Sequence, residues 1–347
     1  MNIAIISPGY AVGGTYTTAR DLFEGLRSEG FNAKILKLEA KNVFKLYEEW
    51  RVLPNLRKCD VVIFTGSNFW WNPLFIRSKK ALFIHGFVTD EFLQSVMQFS
   101  LSGMAGRLPL IAYWKALKFS RIWDFFIFRS ETSWERNGRP KDYVILPQFI
   151  LPDDIKLYSH LQASNASSDL IRITTYTSFV NSPRLLSMEM LVMLAGKIGN
   201  LSERRIEFCI VSPIRYRYSP LENLESKNLD IRILPTMPRR EFLKLLSSSD
   251  LFIERCTDEE IGISSIEAGL IGTPVAKITH TKYFSRQDYS DKEIILAKSP
   301  SELCMKISKY IININALKKQ YANRMREFLV TKRSWDAVKS ALLEKLN

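Results

Sequence analysis

The chain is poor in the residues that build metal centres and disulfide frameworks. Its 347 residues include four isolated cysteines and three histidines, which give neither zinc-ligand spacing nor paired-cysteine patterns. Uncharged runs such as 61–76 carry Gly, Asn and Pro and are too short for a membrane-spanning helix. The chain begins with an apolar stretch that lacks the charged lead and cleavage site of a signal peptide. We therefore expect a cytoplasmic protein.

Acidic residues are outnumbered, 36 against 49 basic ones, for a net charge of +13. Such a charge indicates an anionic partner, either a nucleic acid, a nucleoside diphosphate or an acidic membrane surface. Nucleic acid is the weakest of these, since no zinc finger, RNA-recognition signature or basic helix repeat is present. The acids at 153–154 and 258–260 show no strand-end Asp-x-Asp arrangement, so we expect no metal and no other cofactor.

The length and the pattern of the chain predict two α/β domains. A chain of this length suits two domains of about 150 to 180 residues. Buried runs alternate with helical stretches, which is typical of parallel, doubly wound sheets. The predicted strands are 3–6, 33–38, 61–64, 81–84, 125–128, 143–146, 170–176, 207–211, 230–234, 251–254 and 274–278. The proline-bounded segment 146–152 interrupts the pattern and is the predicted interdomain connection.

The segment 259–275 is the most informative for function. Glu259 and Glu267 stand eight residues apart around a turn at Gly262, and a short helical pattern follows that Gly272 and Pro274 close. The amide groups at such a helix start suit a phosphate, and the carboxylates suit the hydroxyls of a sugar and a ribose. The same letters also fit a capping box, in which Glu267 reaches back to the N–H of Ser264.

The segment resembles the Glu-x7-Glu signature of the group 1, or family four, nucleotide-sugar glycosyltransferases, which have the two-domain GT-B fold. The residues in register are Glu259, Gly262, Ile263, Glu267, Ala268, Gly272, Pro274 and Val275. Upstream, 231–235, 237–242 and 245–253 resemble the family's strand, Pro-capped helix and buried strand in the same order. The resemblance implies two Rossmann-like domains facing a cleft, with acceptor binding in 1–150 and donor binding in 151–325. Residues 326–347 would form a helix that returns to the first domain.

The resemblance also implies the roles of the donor-site residues. Glu259 would hold the sugar hydroxyls and Glu267 the ribose, while Thr236 and Met237 would meet the base. Gly262, Ile263 and Ser264 would hold phosphate. Ser178 stands where the family usually has an arginine, and Arg184 is the candidate for the family's lysine. This departure keeps open a catalytically silent nucleotide-sugar binder or partner subunit as the alternative function.

Two further candidates lie in the first half of the chain. Gly13 and Gly14, between the first strand and first helix, resemble the family's glycine loop, although a tight turn alone would explain them. His85 follows an apolar strand, and strand ends in these sheets face the ligand. The resemblance places His85 beside the reacting sugar carbon, and a structural histidine is the alternative.

The stretch 107–129 combines basic and apolar residues and predicts an amphipathic helix. Such a helix docks on an anionic membrane or holds a lipid-phosphate acceptor, and an ordinary helix packed on the sheet is the alternative. The candidate residues for membrane or acceptor contact are Trp70, Trp71, Arg107, Lys115, Lys118 and Arg121. We therefore predict peripheral contact with the cytoplasmic membrane face.

Together these features predict a glycosyltransferase that moves a hexose from a UDP-sugar or GDP-sugar to a glycan or lipid-linked acceptor. Retention of the anomeric configuration follows from the resemblance alone. A nucleotide-sugar epimerase with the same fold is a third hypothesis, which no residue specifically favours.

Overall fold

The computed structural model of the chain contains two compact units. It describes residues 1–8, 14–38, 43–65, 75–84, 122–161, 170–177, 186–212, 228–257, 259–280, 283 and 287–347. One unit comprises Met1–Leu151 together with Ser334–Asn347, and the other comprises Pro152–Arg333.

The strands and helices alternate along the chain, as the sequence pattern predicts. The strands are β1 (Asn2–Pro8), β2 (Asn32–Leu38), β3 (Val61–Thr65), β4 (Lys79–Ile84), β5 (Phe125–Phe128), β6 (Tyr143–Ile145), β7 (Leu170–Tyr176), β8 (Arg205–Ser212), β9 (Leu229–Pro235), β10 (Leu251–Glu254), β11 (Val275–Ile278) and β12 (Ile295–Ala297). The described helices are α1 (Gly14–Ser28), α2 (Val43–Leu56), α3 (Glu131–Arg136), α4 (Pro152–Ser159), α5 (Met188–Leu201), α6 (Arg239–Ser247), α7 (Ile263–Ile271), α8 (Pro300–Ile312), α9 (Ile314–Lys332), α10 (Trp335–Val338) and α11 (Ser340–Leu346).

The first unit is built on one parallel sheet whose strand order is β2-β1-β3-β4-β5-β6. Side chains of β1 alternate between two cores. Ile3 and Ile5 pack with α1 on one face, and Ala4 and Ile6 pack with α2 on the other. Because successive strand residues point to opposite faces, a sheet covered on both sides needs this nearly continuous apolar run.

The C-terminal end of the chain completes the first unit. Trp335 is 1% exposed, and its ring lies 5.0 Å from that of Phe149. The backbone amide of Trp335 donates to Ile150, and the indole N–H donates to Glu29 at 3.1 Å. The C-terminal segment that belongs to the first unit therefore begins at Ser334. This is later than the predicted residue 326, because α9 continues to Lys332 within the second unit.

The second unit contains the other parallel sheet, with the order β12-β11-β10-β7-β8-β9. One face carries a core formed with α5 and α8, which includes Ile171, Ile173 and Ile253. Helix α7 packs against α4, α6 and α9. Since all paired strands are parallel, the ends of β7, β10 and β11 lie at one edge of the sheet.

Two predictions about helices need correction. The segment 326–347 is not one helix, because Ser334 separates α9 from α10 and Lys339 separates α10 from α11. The amphipathic helix predicted for 107–129 does not include the last residues of that stretch, because Phe125–Phe128 is a buried strand. Arg129 lies beyond that strand and is 7% exposed, and its guanidinium donates to Thr18 and Pro147. In the part of the chain that the structure describes, no helix has the length and apolarity to cross a membrane.

Candidate functional site

The start of α7 lies at the carboxyl edge of the second sheet. A loop leads from β10 to Gly262, whose carbonyl accepts the amides of Ser265 and Ile266, each at 3.1 Å. Within the described ranges, no acceptor lies against the amides of Ile263 and Ser264, and both residues are partly exposed. These two amides and the positive end of the helix dipole favour a bound anion, and a phosphate in particular.

The capping-box alternative for Ser264 and Glu267 is wrong. Gly262 occupies the cap position, so Ser264 already lies in the first helical turn. Glu267 does not reach back to the cap, because its Oε1 atom accepts a hydrogen bond from Nε of Arg239 at 2.8 Å. The end of the helix is as predicted, since Gly272 adopts the left-handed conformation with φ 97° and its amide bonds to Ala268.

Glu267 forms a cluster with Tyr158, which is also buried, and with the exposed Arg239. The Tyr158 hydroxyl donates to the same Oε1 atom at 3.2 Å, and Arg239 donates to both partners. Burial raises the pKa of the Glu267 carboxyl, and the charge of Arg239 opposes that rise. Burial, followed by the charge of Glu267, also raises the pKa of Tyr158, which keeps it a donor. Among the described residues, Oε2 of Glu267 has no hydrogen-bond partner.

The segment predicted to meet a base lies beside this cluster. Thr236 and Met237 follow β9, and Pro238 precedes α6. Thr236 is exposed and Met237 is partly exposed. Arg239 is the first residue of α6, so its contact with Glu267 brings the segment and α7 together.

A second cluster centres on Glu254, the last residue of β10. Its Oε1 atom accepts the amide of Cys256 at 2.9 Å, and its Oε2 atom accepts the amide of Gly262 at 2.9 Å. The hydroxyl of Ser265 donates to Oε2 at 2.5 Å. Burial alone would raise the pKa of the Glu254 carboxyl, but the charge of Lys277 and these donors hold the pKa below its usual value.

Gly262 is required by the approach of that carboxylate. A Cβ atom at this position would lie 2.7 Å from Oε2 of Glu254, closer than any normal contact. The glycine therefore lets the loop pass directly over Glu254 before α7 begins.

Lys277 on β11 holds the other side of the same loop. Its side chain is fully buried, and Nζ donates to the carbonyls of Cys256 at 2.5 Å and Glu260 at 2.7 Å. Glu259 lies between those two carbonyls in sequence and is 6% exposed. Glu254 and Lys277 therefore both hydrogen-bond to the backbone of this loop, before and after the predicted sugar-binding carboxylate of Glu259.

Arg255 is a buried cation at the same edge of the sheet. It follows Glu254, is 7% exposed, and its carbonyl accepts the amide of Leu186 at 2.9 Å. Burial lowers the pKa of its guanidinium, and neighbouring Cys256 and Glu254 oppose that shift. A positive charge at the edge of the sheet where α7 begins attracts an anion.

The structure thus brings together Glu259, Gly262, Ile263, Ser264 and Glu267 on one loop and helix. Gly14 is the first residue of α1. The other predicted site residues lie outside the described residues; they are Gly13, Trp70, Trp71, His85, Arg107, Lys115, Lys118, Arg121, Ser178 and Arg184.

The sequence interpretation missed five residues of these clusters, namely Tyr158, Arg239, Glu254, Arg255 and Lys277. A charge inside or directly after a buried apolar strand was the available signal for three of them, since such charges are rarely buried unless paired. Tyr158 and Arg239 gave no such signal, because their contact with Glu267 joins residues far apart in the chain.

The two parallel sheets with flanking helices form the GT-B fold, the architecture of a large class of glycosyltransferases. Sucrose-phosphate synthase from Thermosynechococcus elongatus is similar, with a TM-score of 0.68 and 15% identity over 99% of this chain and 97% of that one. Anabaena HepE in complex with UDP-glucose has a TM-score of 0.67 and 13% identity over 100% and 99% of the two chains. An alpha-glucosyltransferase in complex with UDP has a TM-score of 0.70 and 11% identity over 100% and 99%. No protein-family model and no curated protein matches this sequence.

Proposed function

We propose that this protein is a glycosyltransferase that transfers a hexose from a UDP-sugar to a glycan or lipid-linked acceptor. The main support is the uncovered start of α7 between Glu259 and Glu267 in a GT-B fold. HepE and the alpha-glucosyltransferase were solved with UDP-glucose and UDP, which favours UDP over the GDP alternative. In this proposal the second unit binds the donor and the first unit binds the acceptor.

The α7 start would stabilise the leaving group. Breaking the bond between the anomeric carbon and the diphosphate places negative charge on the departing phosphate. Amides that already point at that charge stabilise it without reorganisation. The amides of Ile263 and Ser264 supply this contact, and Arg184 supplies positive charge in place of the family's lysine. Arg255 replaces the charge of the arginine whose position Ser178 occupies.

The remaining roles follow the resemblance to family four, which we propose as the family of this chain. Glu259 holds the hydroxyls of the donor sugar, and Glu267 holds the ribose through Oε2. Thr236 and Met237 meet the base. The glycine loop at Gly13 and Gly14 faces the donor, His85 lies beside the reacting carbon, and the sugar is transferred with retention of its configuration.

We also propose that the reaction needs no metal ion. Among the residues that the structure describes, no three acids, histidines or cysteines are grouped as metal ligands. The helix dipole and the basic residues would provide the charge that a divalent cation supplies elsewhere. Transfer that is unchanged by a chelator supports this proposal, and loss of transfer that magnesium or manganese restores contradicts it.

Peripheral membrane contact is part of the same proposal. Trp50 and Phe75 are 54% and 42% exposed, and their rings lie 5.3 Å apart. The exposed basic residues nearby in the chain are Arg51, Arg57, Lys58 and Arg77. An exposed aromatic pair with basic neighbours suits an anionic bilayer. Vesicle flotation tests this: equal recovery with neutral and anionic vesicles contradicts the electrostatic part.

The function is tested by calorimetry with UDP- and GDP-sugars beside a radiolabelled transfer assay. We expect the protein to bind a UDP-sugar and to transfer the sugar to an added acceptor. The anomeric configuration of the product, read by NMR, should be the same as that of the donor. Binding without transfer to any acceptor favours the silent partner subunit. The absence of binding to every nucleotide sugar contradicts both functions.

A further inference from the structure

Glu254 and Lys277 are two buried charges that the proposed reaction does not use directly. They face each other in register on the neighbouring strands β10 and β11. Glu254 is 5% exposed and Lys277 is fully buried. Burying a charge is costly unless it is paired and hydrogen-bonded. Because both charges lie at the edge of the sheet that carries the candidate site, the contacts they make there indicate their function.

Their contacts fall on both ends of one loop. Glu254 accepts the amides of Cys256 and Gly262, while Lys277 donates to the carbonyls of Cys256 and Glu260. The backbone of Cys256 is therefore fixed by both residues. The part of the loop that carries Glu259 runs between these fixed points.

The same carboxylate also fixes the start of α7. Its Oε2 atom binds the Gly262 amide and the Ser265 hydroxyl, one on each side of Ile263 and Ser264. The direction of the two uncovered amides therefore depends on Glu254.

We propose that Glu254 and Lys277 are positioning residues that hold Glu259 and the amides of Ile263 and Ser264 in the geometry the donor needs. This inference rests on the proposed function. Neither residue touches the donor. They act by fixing the loop before the donor arrives, and a misplacement of about 1 Å can lower a rate about a hundredfold.

Glu254→Gln is the sharpest variant, because it keeps the shape of the side chain and removes one acceptor. The carboxylate uses both oxygens as acceptors, whereas an amide offers one oxygen and an NH2 donor. The NH2 group must then face either the Cys256 amide or the Gly262 amide, and each of these is also a donor. Ser265→Ala is a milder second variant that removes a single donor to Glu254.

The pair Asp250 and Lys318 supplies a matched control. It is a buried ion pair in the second unit, with Nζ 2.7 Å from Oδ1. Asp250 precedes β10, so the pair lies at the opposite end of that strand from the candidate site. Asp250→Asn removes a buried charge without touching the loop 255–262.

The test combines hydrogen exchange with UDP-sugar kinetics at a temperature below the unfolding of every variant. For Glu254→Gln we expect faster amide exchange at Cys256 and Gly262 and a kcat lowered about tenfold or more, with a smaller loss of the same kind in Ser265→Ala. Asp250→Asn should lower the Tm and keep the wild-type kcat.

The proposal is overturned if Glu254→Gln keeps the wild-type kcat, or if Asp250→Asn lowers kcat as much. If the wild-type protein neither binds nor transfers any nucleotide sugar, the proposed function fails instead. The exchange data then still decide whether Glu254 fixes the loop, and unchanged exchange in Glu254→Gln overturns that part.

Discussion

Nε of Arg239 lies 2.8 Å from Oε1 of Glu267, which joins the first residue of α6 to the middle of α7. The contact links the segment predicted to meet the base with the carboxylate predicted to hold the ribose. It occupies one oxygen of Glu267, and the other has no partner among the described residues. Arg239 therefore orients the carboxylate and favours its charged form.

Replacing Arg239 should weaken UDP binding and make it depend on pH. Burial already raises the pKa of Glu267, and Arg239 opposes that rise; without Arg239 the pKa rises further. We expect Arg239→Met to raise the Kd for UDP about tenfold, corresponding to one hydrogen bond to a charged group. The loss should be larger at low pH, where Glu267 binds a proton, than at high pH. Calorimetry at several pH values measures this, with Arg240→Met as the exposed neighbouring control.

Glu259→Ala and His85→Ala should each abolish sugar transfer and leave the Tm nearly unchanged. Both side chains are proposed to act on the donor sugar, so their loss removes transition-state contacts rather than packing. Glu260→Gln is the control for Glu259, since Lys277 binds the backbone of Glu260 and not its side chain. Wild-type transfer in both alanine variants contradicts the assigned roles.

Gly262→Ala should destabilise the second unit and weaken donor binding. The new Cβ would lie 2.7 Å from Oε2 of Glu254, and forced overlap in a packed region costs about 1–3 kcal/mol. Shortening the acid should relieve the overlap, so the stability losses of Gly262→Ala and Glu254→Ala should not add. Additive losses in the double variant, measured by urea unfolding, would show that the two residues do not meet.

Glu254 should make part of the protein's stability sensitive to acid. Its folded pKa is lowered, so its stabilising contribution is present above the unfolded value of about 4.3. That contribution is lost as the pH falls through the lower folded value. We expect Glu254→Gln to be less stable at neutral pH and to lose less stability between about pH 5 and pH 3. Urea unfolding across pH checks this, and the exposed Glu241→Gln should keep the wild-type slope.

Gly25→Ala should destabilise the first unit without changing UDP affinity. A Cβ atom at Gly25 would lie 2.8 Å from Cδ2 of Trp335, whose ring is fully buried. We expect a loss of about 1–3 kcal/mol in the free energy of unfolding. Calorimetry on the folded variant should give the wild-type Kd, because Gly25 lies in the last turn of α1, at the opposite end from the glycine loop. A changed Kd would contradict this prediction.

Most of the fold could be predicted because its strands are apolar runs bounded by turns. Three predicted strands, 125–128, 170–176 and 251–254, match the structure at both ends. Strand β12 was not predicted, although its three residues are apolar. Helix α2 was also missed, and it contains Pro54, a residue that disfavours helix interiors.

The candidate site was predictable only where its residues are close in sequence. The spacing from Glu259 to Glu267 indicated the helix and its start, and the structure confirms that helix. Lys277 lies in a strand whose other residues are apolar, and the sequence pattern gave no partner for it. Its Nζ donates to the carbonyls of Cys256 and Glu260. Its charge also lowers the pKa of Glu254, and only the register of β10 against β11 places these two residues side by side.

A crystal structure of the protein with UDP would test most directly whether the second unit binds a nucleoside diphosphate at the start of α7. We expect an oxygen of the β-phosphate within about 3 Å of the amides of Ile263 and Ser264, with the ribose at Glu267. UDP bound elsewhere, or a β-phosphate that contacts neither amide, would contradict the proposed donor site.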